Sequence, residues 1–224
     1  AFTPKARFDF DAFGRVVRPS VRMLDNVLDV TVWPLELQHK EAQAKRRVGL
    51  GFTGLGNTLI MLGLKYDTEE ARVMGAKIAE AMRNESYAAS VDIAKEKGAF
   101  PLFDAQQYLA EPRFASRLPD ALKKEIARHG MRNSHLLSIA PTGTISLLAD
   151  NVSSGLEPVF SFTYTRRILM PDGTRQTQDV SDYAYRRFRD LRGANAPLPA
   201  YFLDAQNLAP ADHLSMQAAV QDYV

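Results

Sequence analysis

Ser138-Ile139-Ala140-Pro141-Thr142-Gly143-Thr144-Ile145-Ser146-Leu147-Leu148 reads as a strand that breaks into a loop and restarts as a helix. Pro141 stops the strand and fixes φ, and Gly143 lets main chain pass close to a ligand. Thr142, Thr144 and Ser146 set hydroxyls beside the free N–H groups of a helix start. Such an end attracts anions. A helix N-terminus contributes roughly 0.3 to 2 kcal/mol toward a negative group, and each hydrogen bond to a charged oxygen about 1.5 to 3 kcal/mol more. Several together hold a diphosphate. An ordinary capped helix, whose Thr and Ser satisfy only their own backbone, uses the same residue types.

Around this stretch helical signals dominate. From Phe10 through Val30 the apolar residues Phe13, Val16, Val17, Val21, Leu24, Val27 and Leu28 recur at three- and four-residue steps, giving one buried stripe that Pro19 would kink or split. A second helix begins near Pro34. A long Ala-rich one runs from Asp67, whose spacing to Glu70 suits a capping box, to a stop at Gly98. Shorter helices follow Asp104 and Pro119, the latter ending at Gly130, and a final helix follows Pro210. Residues 162–170 and 174–179, separated by Pro171-Asp172-Gly173, read as a hairpin, because Asp-Gly accepts the positive φ angles of a tight turn. Ala194 to Pro199 is the best irregular connection.

Composition narrows the class. The 224 residues bury a sizeable core as one or two domains, and no run approaches the roughly 18 apolar residues of a spanning helix. No charged-then-apolar leader opens the chain, so a cytoplasmic protein without membrane partners is expected. With 28 basic against 26 acidic side chains the net charge is only +2, which recommends no nucleic acid. Arg166-Arg167 and Arg186-Arg187-Phe188-Arg189 with Arg192 interleave with Asp172, Asp179, Asp182 and Asp190, the pattern of a solvated, self-paired face. The absence of cysteine excludes a disulfide framework.

Other patterns compete for attention. Gly49-Leu50-Gly51-Phe52-Thr53-Gly54 matches G-x-G-x-x-G, yet the charged segment before it and the acids Glu69 and Glu70 after it are wrong for a dinucleotide fold. A strand over Val48 to Phe52 turning into a helix over Asn57 to Leu64 suits it better. His39, His129, His135 and His213 show no metal-ligand spacing, so no metal site is expected. Asp25, Asn26 and Asp29 form a polar helix edge or, alternatively, an acid–base pair. Asn84-Glu85-Ser86 and Asn151-Val152-Ser153 fit a glycosylation acceptor that means nothing without secretion. Glu157, one loop beyond the anchoring helix, either orders the pocket or is a surface carboxylate.

Arg132-Asn133-Ser134-His135-Leu136-Leu137 running into Ala140-Pro141-Thr142-Gly143-Thr144-Ile145-Ser146-Leu147, then Asn151-Val152-Ser153-Ser154-Gly155-Leu156-Glu157-Pro158-Val159-Phe160, resembles the catalytic chain of ribonucleotide reductases. The adenosylcobalamin-dependent class is the most similar. Arg46-Arg47-Val48-Gly49-Leu50-Gly51-Phe52-Thr53-Gly54-Leu55-Gly56-Asn57 and His213-Leu214-Ser215-Met216-Gln217-Ala218-Ala219 add to the resemblance, which is dense from Arg46 to Arg167 and thinner around Arg186 to Ala211.

The resemblance implies a helix-rich α/β chain, a partial segment of the ten-stranded reductase α/β barrel, with an accessory β-hairpin. Residues 1–224 form one fragment: a helical lead-in over 1–47, barrel strands, helices and phosphate loop over 48–160, and hairpin and C-terminal helices over 161–224. The core strands are Val48 to Phe52 and His135 to Ala140. The implied substrate is a ribonucleoside di- or triphosphate reduced at the 2′ carbon, its phosphates on Ala140, Pro141, Thr142, Gly143, Thr144, Ile145 and Ser146. The implied cofactor of the parent enzyme is adenosylcobalamin, with none in this chain.

The family's chemistry runs on a thiyl radical and a reducing cysteine pair, whereas this chain has no cysteine and opens at Ala1 without methionine. It is therefore expected to be an inactive segment that carries no catalytic residue and partners the rest of the reductase chain. Open strand edges make self-association an expectation as well. A noncatalytic helical scaffold or interaction domain, or a segment of the oxygen-dependent reductase class, are the alternatives.

Overall fold

Asp9 accepts a hydrogen bond from the Ala12 amide at 2.8 Å and opens α1, Phe10–Val30. The computed structural model describes residues 1–224. The inward face of α1 is Gly14, Val17, Val21 and Asp25. Val16 and Val27, expected in that stripe, are 63% and 48% exposed. Pro19 does not split the helix, because it lies on the exposed side, where the one carbonyl it leaves without a donor faces water.

The chain forms two compact units that interleave along the sequence, one of 1–8, 52–77 and 139–222, the other of 9–51, 78–138 and 223–224. α4, Glu69–Lys97, contributes its first turns to the first unit and the rest to the second. Its start differs from the expected capping box: the Thr68 hydroxyl accepts from the Ala71 amide at 3.3 Å, while Asp67 binds Lys65 at 2.8 Å.

In the second unit α1 is joined by α2, Glu36–Lys45, by α5, Ala105–Leu109, and by α6, Asp120–His129. Asp104 caps α5 through the Gln107 amide, and Gly130 at positive φ ends α6. Val21, Ile93, Phe100, Ile126, Met131 and Leu136 belong to one buried cluster. The two expected core strands meet here only briefly. Val48 and Leu50 donate to the His135 and Leu136 carbonyls at 3.0 and 2.8 Å, and Ser138 donates to Leu50 at 3.0 Å. The result is one parallel bridge, Leu50 to Leu137. Neither segment has a second neighbour, and a lone pair of short segments does not build a ladder.

The first unit holds α3, Leu55–Leu62, α7, Gly143–Leu148, the strands β1, Thr163–Leu169, and β2, Arg175–Ser181, then α8, Tyr183–Arg192, and α9, Pro210–Gln221. The hairpin register runs from Thr163 opposite Ser181 to Leu169 opposite Arg175. Its turn falls at Pro171-Asp172-Gly173 as expected: Gly173 alone takes positive φ, and Met170 donates to Thr174 at 2.9 Å, a three-residue loop closed by a left-handed glycine. The hairpin is the whole of the sheet, so the architecture is helix-rich with a small two-stranded sheet. Phe2, Phe188 and Phe202 pack edge to face or stacked, with centroids 4.9 to 6.1 Å apart, and anchor the unit's core.

α8 was not legible as a helix, because its arginines read as a charged face. Asp182 caps it through the Tyr185 amide at 3.0 Å, while Ala184 and Phe188 turn inward. The arginines also choose other partners than the aspartates between them. Arg186 binds Asp150 and the Ser181 carbonyl, Arg189 the Ala196 carbonyl, and Arg192 the Phe2 carbonyl at 3.3 Å.

Candidate functional site

Pro141 and Thr142 end the extended segment, and α7 starts at Gly143. No side chain caps this helix. The amides of Gly143, Thr144 and Ile145 have no acceptor within the protein, since the first bond of the helix is Ser146 to the Thr142 carbonyl at 2.8 Å. Ala140, Pro141, Gly143, Thr144 and Ile145 are exposed, Thr142 is half-buried and Ser146 is buried. Two of the three hydroxyls are committed internally. Thr142 Oγ1 accepts from the Gly155 amide at 3.1 Å, and Ser146 Oγ donates to the Gly143 carbonyl at 2.9 Å. Only the Thr144 hydroxyl is free of such a bond. α7 is six residues long, so its dipole is a minor contributor and the open amides carry most of any attraction for an anion.

The loop borders a cavity of about 490 Å³ within the first unit, lined among others by Gly143, Ser146, Ser154, Glu157, Arg166 and His213. That size suits a single small ligand. Arg166, on β1, adds a positive charge to its wall. Glu157 is therefore a pocket residue, and it is exposed; burial, with the Glu157 charge behind it, pushes the Tyr66 hydroxyl well above its ordinary value. Tyr66 donates to the Leu156 carbonyl at 2.6 Å.

The far side of the loop was not foreseen. After α7 the chain turns through Asp150 and Asn151, both at positive φ, and returns as Val152–Gly155. A Cβ at Gly155 would stand 2.6 Å from the Ala140 carbonyl oxygen, so only glycine lets the returning chain pass the loop this closely. Ser153 is gripped by Asn57, whose Oδ1 accepts from the Ser153 amide. Asn57 Nδ2 donates to both Asp182 carboxylate oxygens, at 2.8 and 2.7 Å. All three side chains are buried, and burial pushes the Asp182 carboxyl up, the neutral Asn57 amide offsetting only part of that. The Asn57 signal lay in the sequence at the end of the glycine-rich segment, but its partner is 125 positions away.

The second unit has a cavity of about 600 Å³ whose walls include Tyr87, Phe100, Tyr108 and Phe114. Burial pushes the Tyr87 hydroxyl up to about 12. None of the predicted phosphate residues lines it. In the same unit Asn26 and Asp29 lie on an exposed edge, but Asp25 belongs neither to that edge nor to an acid–base pair. Asp25 is fully buried and binds Arg46 at 2.9 Å and Arg132 at 3.2 Å, while Asp29 binds Arg46 at 2.8 Å. No three His, Asp or Glu side chains come together as a metal site, and no helix is long and apolar enough to cross a membrane.

The family model of the ribonucleotide reductase barrel domain matches residues 1–224. The chain belongs to the ribonucleotide reductase barrel-domain family. It is 35% identical, over 97% of its length, to a vitamin B12-dependent ribonucleoside-diphosphate reductase of Mycobacterium tuberculosis, and 30% identical over 97% to one of Thermoplasma acidophilum. A ribonucleoside-diphosphate reductase subunit alpha of Treponema pallidum is 34% identical over 64% of the chain. The chain spans 31%, 28% and 18% of these relatives. The resemblance expected from the sequence therefore holds for the family and for its vitamin B12-dependent members.

Proposed function

We propose that this chain is the part of a vitamin B12-dependent ribonucleoside-diphosphate reductase that grips the phosphates of the substrate. Residues 140–146 are the grip. The observation that carries the reading is the set of open amides at Gly143, Thr144 and Ile145, the first of which lines a cavity of nucleotide-compatible size. Three amide bonds to phosphate oxygens at about 1.5 to 3 kcal/mol each, with the Thr144 hydroxyl, are enough to fix a diphosphate. The names of the relatives, which specify ribonucleoside diphosphates, support the substrate class.

The contribution to catalysis is positional. Binding energy from the phosphates, remote from the reacting 2′ carbon, holds the ribose where a cysteine on another part of the barrel reaches it. This chain has no cysteine, so by itself it is inactive. Adenosylcobalamin supplies the radical in the whole enzyme. A corrin with its nucleotide tail is larger than the cavities of about 490 and 600 Å³ described above, so no residue here is assigned to the cofactor. Likewise the ten-stranded barrel is proposed for the complete protein, with residues 48–50 and 135–138 as the seed of one parallel pair.

Replacing Thr142 and Thr144 together with valine in the active enzyme tests the grip. The expected result is a raised Michaelis constant, since one change loosens Thr142 from Gly155 and the other removes the free hydroxyl. An unchanged Michaelis constant and turnover would remove the phosphate role.

A further inference from the structure

A loop that holds a phosphate must itself be held, and the bonds that hold this one converge on a buried pair. Ser153 lies under the loop with all its main-chain polar groups used: its amide donates to Asn57 Oδ1, and its carbonyl accepts from the Gly54 amide at 2.8 Å. The Ser153 hydroxyl accepts from the main-chain N–H of Asn57 at 3.4 Å. Two residues later the Gly155 amide meets Thr142 Oγ1, while the Gly155 α-carbon packs against the Ala140 carbonyl. On the other flank Val152 donates to the Ser146 carbonyl at 3.2 Å. The returning segment is thus tied to the start, the middle and the end of the loop.

Asn57 is oriented in turn by one group. Its Nδ2 donates to the two oxygens of the Asp182 carboxylate, at 2.8 and 2.7 Å, and that carboxylate also accepts from the Tyr185 amide at the start of α8. Without Asp182 the Asn57 amide could flip, presenting N–H to the Ser153 N–H. Exposures of 1%, 2% and 6% at Asn57, Asp182 and Ser153 make an unpaired N–H there costly. Asp182 and Ser153 also line the cavity, so the pair sits beneath its floor.

We infer that Asn57 and Asp182 are positioning residues for phosphate binding, a carboxylate–amide latch that sets the height of the 152–155 segment and through it the aim of the Gly143–Ile145 amides. The inference rests on the phosphate reading of that loop and names what keeps it in register. Its chemistry makes it reversible in a specific way. An aspartate at 57 can accept from the Ser153 amide and from an asparagine at 182, and that asparagine's Oδ1 can still accept from Tyr185. The exchanged pair keeps these bonds, whereas each single exchange breaks the pattern by setting two carboxylates or two amides face to face.

The test is a double-mutant cycle of Asn57→Asp and Asp182→Asn, read by calorimetric titration of the chain with inorganic pyrophosphate, with thermal melting recorded on every variant. Each single variant is expected to weaken pyrophosphate binding by about tenfold or more, the equivalent of one lost charge-assisted bond, at temperatures where it is still folded. The double variant is expected to recover affinity to within about threefold of the parent. Should a single variant fail to fold, the double variant and the other single variant still decide the matter. Singles that bind like the parent, or a folded double variant no tighter than the weaker single, would overturn the latch. Thr142→Val with Thr144→Val is run beside the cycle. If that pair leaves pyrophosphate binding unchanged the phosphate reading itself is wrong, whereas a loss there with no effect at 57 and 182 refutes the latch alone.

Discussion

Two aspartates are buried in this chain, Asp25 in one unit and Asp182 in the other, and their partners send them in opposite directions. Both are removed from water, which penalises the charged form. Around Asp25 the guanidinium groups of Arg46 and Arg132 outweigh that penalty, and its carboxyl is held below the usual carboxylate range. Around Asp182 the main partner is the neutral Asn57 amide, burial wins, and the carboxyl is pushed up. Asp25 thus belongs to an ion cluster that fixes the architecture. Arg46 even takes a left-handed backbone, φ 45° and ψ 49°, at the end of α2 to reach it, a strain of order 1 to 2 kcal/mol for a residue with a Cβ. Asp182 belongs to a softer hydrogen-bonded pair beneath the proposed phosphate loop. Charge pairs pin the frame, and dipoles tune the site.

The comparison can be broken at Asp25 first. Asp25→Ala leaves the Arg46 guanidinium, only 2% exposed, without its buried carboxylate, and the expected loss is about 3 to 5 kcal/mol in urea denaturation. Asp182→Ala removes an acceptor from a neutral amide and should cost less, about 1 to 3 kcal/mol by the same measurement. A larger loss at 182 than at 25 would reverse the assignment of frame and site.

Acid titration sharpens the contrast. Asp25 has a depressed folded-state pKa, so its stabilisation is present above the ordinary value of 3.8 and is lost as pH falls through the folded value. Asp182 has a raised one, so its stabilisation is full below 3.8 and is lost as pH rises through the folded value. Stability measured between pH 3 and pH 7 should show the gap between parent and Asp25→Asn narrowing as pH is lowered, and the gap between parent and Asp182→Asn widening. Parallel curves would contradict the two environments. The smallest effect is expected at an exposed pair: Arg22→Gln removes the 2.6 Å contact with Glu96, whose side chains are 40% and 56% exposed, and should leave the denaturation midpoint within error.

Local signals were the readable part of this sequence. The helix starts at Asp104, Pro119 and Pro210, the stop at Gly130 and the 163–181 hairpin follow from capping, proline and glycine chemistry within a few residues. The loop at 140–146 was readable for the same reason. Asp25 and Asp182 were not: each draws its role from partners 21 to 125 positions away. On a helical stripe Asp25 looked like a polar edge, because periodicity does not say whether a carboxylate faces water or an arginine. α8 was hidden in the same way, its four arginines outvoting Ala184 and Phe188 in any reading by charge.

The most direct test of the account is calorimetric titration of the 224-residue chain with a ribonucleoside diphosphate at low and at high salt, with the Thr142→Val, Thr144→Val variant alongside. The account predicts saturable binding that weakens as salt rises and is weaker in the variant. Binding of equal strength in both proteins, or none at millimolar ligand in a folded parent, would contradict it.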